Sequence, residues 1–227
     1  MRRFATLATL TAILLSASAC TTDKNADEEA TPDDSTCKEL LGESGLNWLE
    51  DRTGGKARLK VKEDLKSARA LFYRQVENEY PEASKYPMFR KATVCRSRTG
   101  ATNPQKELEI RVGPSFFPFD TDFDETSRSG EKTIETPVNS DVKLVLGKDW
   151  DRSTTLYRVY VTCKIPGTPA QQANEIPIEG TMTDTLTGET SLRVHYTHLL
   201  QSAKVMADNF GCENKPVVPA EPPASVK

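Results

Sequence analysis

The chain has 227 residues, 30 Lys or Arg and 33 Asp or Glu, for a formal net charge of −3. That near-balance lacks the basic footprint of a nucleic-acid partner, and the length suits one substantial domain with its own core but is short for two. With five cysteines, two histidines, no C-x-x-C pair, no phosphate-cradling glycine loop and no G-x-S-x-G elbow, most motif-borne chemistries find no purchase.

The first expected segment is an export signal, residues 1–19. Arg2 and Arg3 form a basic head, Phe4 to Leu15 is apolar apart from three threonines, and Ser16 to Ala19 is a patch of small side chains. This apolar run is too short for a bilayer, which takes about 20 residues. Two cleavage routes stay open. Ala17-Ser18-Ala19 suits ordinary signal peptidase, which would leave a secreted chain. The small residues followed by Cys20 also resemble the bacterial lipobox, although Ala17 stands where Leu is preferred. The lipobox resemblance implies that Cys20 carries a diacylglyceryl group, becomes the first residue, and anchors the chain to the membrane. Cysteine parity favours that route, because an exported chain with five cysteines keeps one thiol over and lipidated Cys20 leaves four. Each buried CH₂ contributes about 0.8 kcal/mol, so two acyl chains anchor where one binds marginally.

Residues 20–36 then read as the lipidated cysteine and a disordered acidic tether. Six carboxylates between Thr21 and Thr36 face Lys24 alone, with no large apolar residue to offset the entropy of ordering. A single domain is expected over residues 37–212, and the Pro-rich stretch 213–227 reads as an extended, unpacked tail.

Within the domain, Leu41, Gly45, Trp48 and Leu49 share one face of a first helix that stops at Gly54 or Gly55. A second helix is expected over Glu63 to Tyr80, before Pro81. The period then changes. Met88 to Arg98, Glu107 to Val112, Asp141 to Leu146, Thr155 to Ile165 and Ile176 to Thr183 are rich in β-branched and aromatic residues, and the third and fourth of these pair as a hairpin. A last helix follows, because Leu192, Tyr196, Leu199, Ala203, Met206 and Phe210 step by three and four and Gly211 caps them. The fold class is α+β, an antiparallel sheet of about five strands covered by helices and stapled by two disulfides. Of three connectivities, Cys37 with Cys212 and Cys95 with Cys163 are favoured, since the first pair would close the domain at its boundaries.

Weak metal candidates are few. Asp120, Asp122, Asp124 and Glu131 fall at positions 1, 3, 5 and 12 of a loop that resembles an EF-hand, but Glu125 replaces the glycine needed at position 6. A solvated acidic loop is the expectation. His195 and His198 lie three apart on the last helix, close enough to share an ion, yet they flank the apolar stripe and are expected to be partly exposed. Arg90, Lys91, Arg96 and Arg98 make a basic strand, and Phe116, Phe117, Phe119 and Phe123 form either a local core or an adhesive patch. No catalytic residue and no cofactor are expected.

The signal and its cysteine resemble bacterial lipoproteins. The layout behind them, an acidic tether, a cysteine at the first helix and "AKVMADNFGCEN" closing the domain, resembles lipoproteins of actinobacteria. That resemblance implies a lipid-anchored place on the outer face of the cytoplasmic membrane. The expected role is a non-enzymatic binding or interaction domain whose partner is an envelope protein, lipid or wall component. An envelope enzyme or metal-dependent module built on His195 and His198 or on the 120–131 loop is the alternative.

Overall fold

A computed structural model describes residues 34–79, 89–100, 106–123, 133–149 and 154–227. The signal segment, Cys20 and the tether up to residue 33 lie outside them, as do Asp124 and Glu131. Along the chain run α1 (Ser35–Thr53), β1 (Ala57–Lys60), α2 (Leu65–Glu79), β2 (Ala92–Thr99), β3 (Glu107–Pro114), β4 (Ile134–Pro137), β5 (Val142–Asp149), β6 (Thr154–Val161), α3 (Gln172–Glu175), β7 (Ile178–Asp184) and α4 (Leu192–Phe210).

The strands form one sheet in the order β1-β2-β3-β7-β6-β5-β4, every neighbour antiparallel. Among the described residues, seven strands thus replace the expected five or so. The two extra, β1 and β4, are four-residue strands at the two edges. Their outward positions carry charge or lie open to solvent, so neither presents the apolar run that marks a central strand. The hairpin β5–β6 forms where expected, from Val142↔Val161 to Asp149↔Thr154.

Alternation along the strands splits the sheet into two unlike faces. Leu108, Ile110 and Val112 of β3, Met182 of β7 and Val159 of β6 join Leu40, Phe72, Leu199 and Phe210 from the helices in one core. The helices α1, α2 and α4 therefore share that face. Gly180 of β7 makes room for the Val159 side chain of the neighbouring strand β6, because a Cβ there would stand 2.9 Å from Val159 Cγ1. Inside α1 the chain kinks at Gly42, whose φ of 62° and ψ of 178° suit glycine alone.

The cysteine pairing differs from the expected one: Cys37 is bonded to Cys95 and Cys163 to Cys212. Strand order explains it. Cys95 on β2 and Cys163 just beyond β6 are separated by β3 and β7, roughly 14 Å at about 4.8 Å per strand spacing, whereas a disulfide needs Cα atoms within about 7 Å. One bridge instead fixes the start of α1 to β2, the other the end of α4 to the end of β6. Two disulfides fit an oxidising compartment outside the cytoplasm, and no helix among the described residues is long and apolar enough to cross a membrane.

The Pro-rich tail also departs from expectation, since it packs. Asn139 Nδ2 donates to the Val217 carbonyl at 2.8 Å, Val217 N–H donates to Asp141, Arg193 pairs with Glu221, and Val226 is buried. Prolines lower the entropy lost on ordering and leave carbonyls free to accept from side chains. A few such contacts suffice to hold an extended segment.

Non-reducing peptide mapping should recover Cys37 joined to Cys95 and Cys163 to Cys212. Reduction should lower the unfolding free energy by at most about 4 kcal/mol per bridge, the loop-entropy value for separations of 58 and 49 residues. Recovery of a Cys37–Cys212 peptide would contradict this pairing.

Candidate functional site

Both histidines ride on α4, whose start is set by Ser191, the hydroxyl of which accepts the Val194 N–H, and by the turn before it. Asp184 ends β7 and organises that turn. Its Oδ1 accepts the N–H groups of Leu186 at 2.8 Å and Thr187 at 3.0 Å, and its Oδ2 accepts the Thr187 hydroxyl and lies 3.0 Å from His195 Nε2. The other nitrogen of His195 lies 2.9 Å from the Ser191 carbonyl. Both ring nitrogens thus face acceptors, the Ser191 carbonyl on one side and the Asp184 carboxylate on the other. Burial opposes ionisation of Asp184, but the hydrogen bonds from His195 and Thr187 hold its carboxyl below the usual range.

The expected partial exposure of the histidines is overturned: His195 is 0% and His198 5% exposed. The turn after β7 brings α4 under both Trp48 of α1 and Tyr157 of β6, so that α4 buries a much wider arc than the three-four stripe. The Tyr157 ring stacks on His195 at 4.2 Å and 11°, and Trp48 stacks on His198 at 4.6 Å and 27°. Gly45 makes room for this crossing, with its Cβ position 3.2 Å from His198 Nδ1. The two rings turn to different partners instead of converging on an ion. Tyr157 is pushed up to about 12 by burial and then by Asp184 and Glu189, while burial and the neighbouring His195 push His198 down.

Chemically, a His–Asp pair can activate a nucleophile only if the distal ring nitrogen reaches one. Here that nitrogen faces a helix carbonyl. The pair acts as a pin between β7 and α4.

The described part of the acidic loop opens a cleft of about 470 Å³ lined by Phe119, Asp120, Asp122, Glu135, Asn139 and Lys143 among others. Lys143 forms much of its chemistry. The amine donates to the Thr121 carbonyl at 2.7 Å, reaches Glu135 at 3.4 Å, and lies 4.7 to 5.8 Å from the ring centroids of Phe123, Phe119 and Tyr160. A buried lysine at the floor counters the carboxylates around it, and no group of three or more His, Cys, Asp or Glu able to hold a metal occurs among the described residues. The four phenylalanines divide. Phe123 and Phe119 cover Val145 and Tyr160, whereas Phe116 and Phe117 stand 45% and 44% exposed.

The rest of this sheet face is ionic. Arg96 reaches Glu109 at 3.0 Å, Arg111 reaches Glu109 at 2.8 Å, Arg98 reaches Glu107 at 2.6 Å and Lys91 reaches Glu179 at 2.9 Å. Against its burial, hydrogen bonds from Arg111 and Arg96 hold Glu109 far below the carboxylate range. Arg90 pairs with Glu63, so the basic strand of the sequence is fully partnered. Beside it, β1 adds Arg58 and Lys60, exposed and in register with Arg98 and Arg96. Sequence reasoning missed Asp184, Lys143, Arg58 and Lys60. For the last two a signal existed, the alternation K-A-R-L-K-V-K from Lys56 to Lys62. For Asp184 it was an aspartate two and three residues ahead of backbone donors at a strand end.

Comparison with family models, with curated proteins and with solved structures finds no match.

His198 yields a test of this packing. Its folded value lies below the ordinary 6.5 because of burial and His195, with Glu221 and Glu189 opposing. The unfolded chain therefore takes up a proton first as pH falls, and stability is lost as pH drops through and below about 6.5. Urea unfolding between pH 7.5 and 5 should show this slope, and His198→Phe should flatten it. An unchanged slope in the variant would contradict the assignment.

Proposed function

We propose that the protein is an extracytoplasmic lipoprotein, held on the outer face of the cytoplasmic membrane by a diacylglyceryl group on Cys20, whose domain binds a partner at the cell envelope and performs no reaction of its own. One observation carries the proposal furthest: Cys37, Cys95, Cys163 and Cys212 are consumed in two intramolecular bridges. Cys20 is left without a partner thiol in its own chain, and a lipidated sulfur needs none. The sequence supplies the rest, with the basic head, short apolar run and small residues ahead of Cys20.

Support for binding over catalysis comes from the His195–Asp184 pair. The hydrogen-bonding capacity of both side chains is spent inside the fold, on Ser191, Leu186, Thr187 and each other. The chemistry left open to a partner is on the sheet face and edges.

Mass spectrometry of the mature amino terminus should find Cys20 first, carrying the mass of a diacylglyceryl group. Cys20→Ala should move the protein from membrane to medium with its melting temperature unchanged. A wild-type chain that begins at Cys20 with a bare sulfur would contradict the proposal.

A further inference from the structure

The outer edge at β1 breaks a rule of sheet pairing. Arg58 lies directly opposite Arg98, and Lys60 directly opposite Arg96. Residues paired in this way on one face stand about 5 Å apart, and like charges there are destabilising. Two such pairs follow each other within a four-residue strand. Relief is partial: Arg98 and Arg96 reach back to Glu107 and Glu109 on β3, while Arg58 and Lys60 make no ion pair among the described residues. In sequence the row continues through Lys56 and Lys62, both exposed. Alternate residues on a strand are about 6.6 Å apart, the spacing of Arg58 and Lys60 within β1, and Lys56 and Lys62 add charge just beyond its two ends.

A cation row of this kind exceeds what an edge strand needs to discourage strand addition, for which short length and a single lysine serve. A local rule broken at a cost marks a functional place. The occupant follows from charge and shape. Guanidinium groups grip phosphate oxygens in a bidentate fork. A narrow strip two strands wide at the sheet edge fits a chain of regularly spaced charges better than a plane. The large apolar side chains exposed among the described residues, Phe116, Phe117, Ile134 and Val217, all lie off β1 and β2, so the edge lacks the apolar insertion that strengthens docking on a bilayer.

We infer that the β1–β2 edge binds a linear phosphodiester polymer of the cell envelope through Arg58, Lys60, Arg96 and Arg98. The choice of an envelope polymer rests on the extracytoplasmic role proposed above. Arg58 and Lys60 supply the free charge, and Arg96 and Arg98, already oriented by Glu109 and Glu107, supply forks that need little further ordering.

The test uses the full chain with its disulfides intact and poly(glycerol phosphate) as the probe, with affinity measured across a salt series. Binding should weaken steeply with salt. Arg58→Gln with Lys60→Gln should reduce affinity about tenfold and make the log–log salt slope shallower by about two. Its melting temperature should be unchanged or higher, because both side chains are exposed and repulsion is relieved. A control pair on the helices, Lys66→Gln with Lys204→Gln, should bind as the parent does. Absence of binding at low salt would overturn the inference, as would equal loss in the control. So would charge-dependent preference for phosphatidylglycerol over phosphatidylcholine vesicles without polymer binding, or self-association of the variant with polymer binding intact. Polymer binding in solution does not depend on Cys20, so a bare Cys20 would defeat the anchoring proposal and leave this result standing.

Discussion

Burial of α4 across β6 and β7 is the contact on which the other elements depend. The helix turns Tyr196, Leu199, Leu200, Met206 and Phe210 into the core, each worth about 1.5–3 kcal/mol when fully buried, and it touches α1, α2 and the sheet. Its first turn is pinned to β7 by His195 and Asp184, and Cys212, just past its end, is tied to Cys163. With α4 in place, α1 finds its seat: Ser202 donates to the Leu40 carbonyl at 3.0 Å, and Trp48 lies on His198.

The interior polar groups follow from that arrangement. A buried charge is tolerated where its hydrogen bonds are met inside the protein, and Asp184 has four donors while Glu109 has two arginines. Such groups define the joints of the fold. The sheet accordingly has a dry side under the helices and an ionic side, and among the described residues Arg58 and Lys60 at the β1 edge stand without carboxylates.

Much of this was legible where the pattern is local. The span of α4 matches the stepped row from Leu192 to Phe210 and its Gly211 cap, and the β5–β6 hairpin follows from two alternating runs separated by a turn. Non-local facts were hidden. The disulfide pairing depends on β3 and β7 lying between β2 and β6, and nothing in cysteine spacing encodes that order. Burial of the histidines depends on how Asp184 folds the turn before α4. Lys143 carries no local signal in the sequence, because the chain from Phe119 to Phe123 passing over it creates its site. The proline tail was misread because composition reports the cost of ordering and not the presence of Arg193 and Asn139 as donors.

If the polar interior is structural, its energy should be cooperative and separable from any surface activity. The most direct measurement is a double-mutant cycle on the α4 joint, with urea unfolding of Asp184→Asn, His195→Gln and the combined variant at pH 7. The account predicts that each single change destabilises by about 1–3 kcal/mol, the cost of stranding a buried partner, and that the double costs less than their sum by about 1 kcal/mol or more. Single variants as stable as the parent, or effects that simply add, would contradict it.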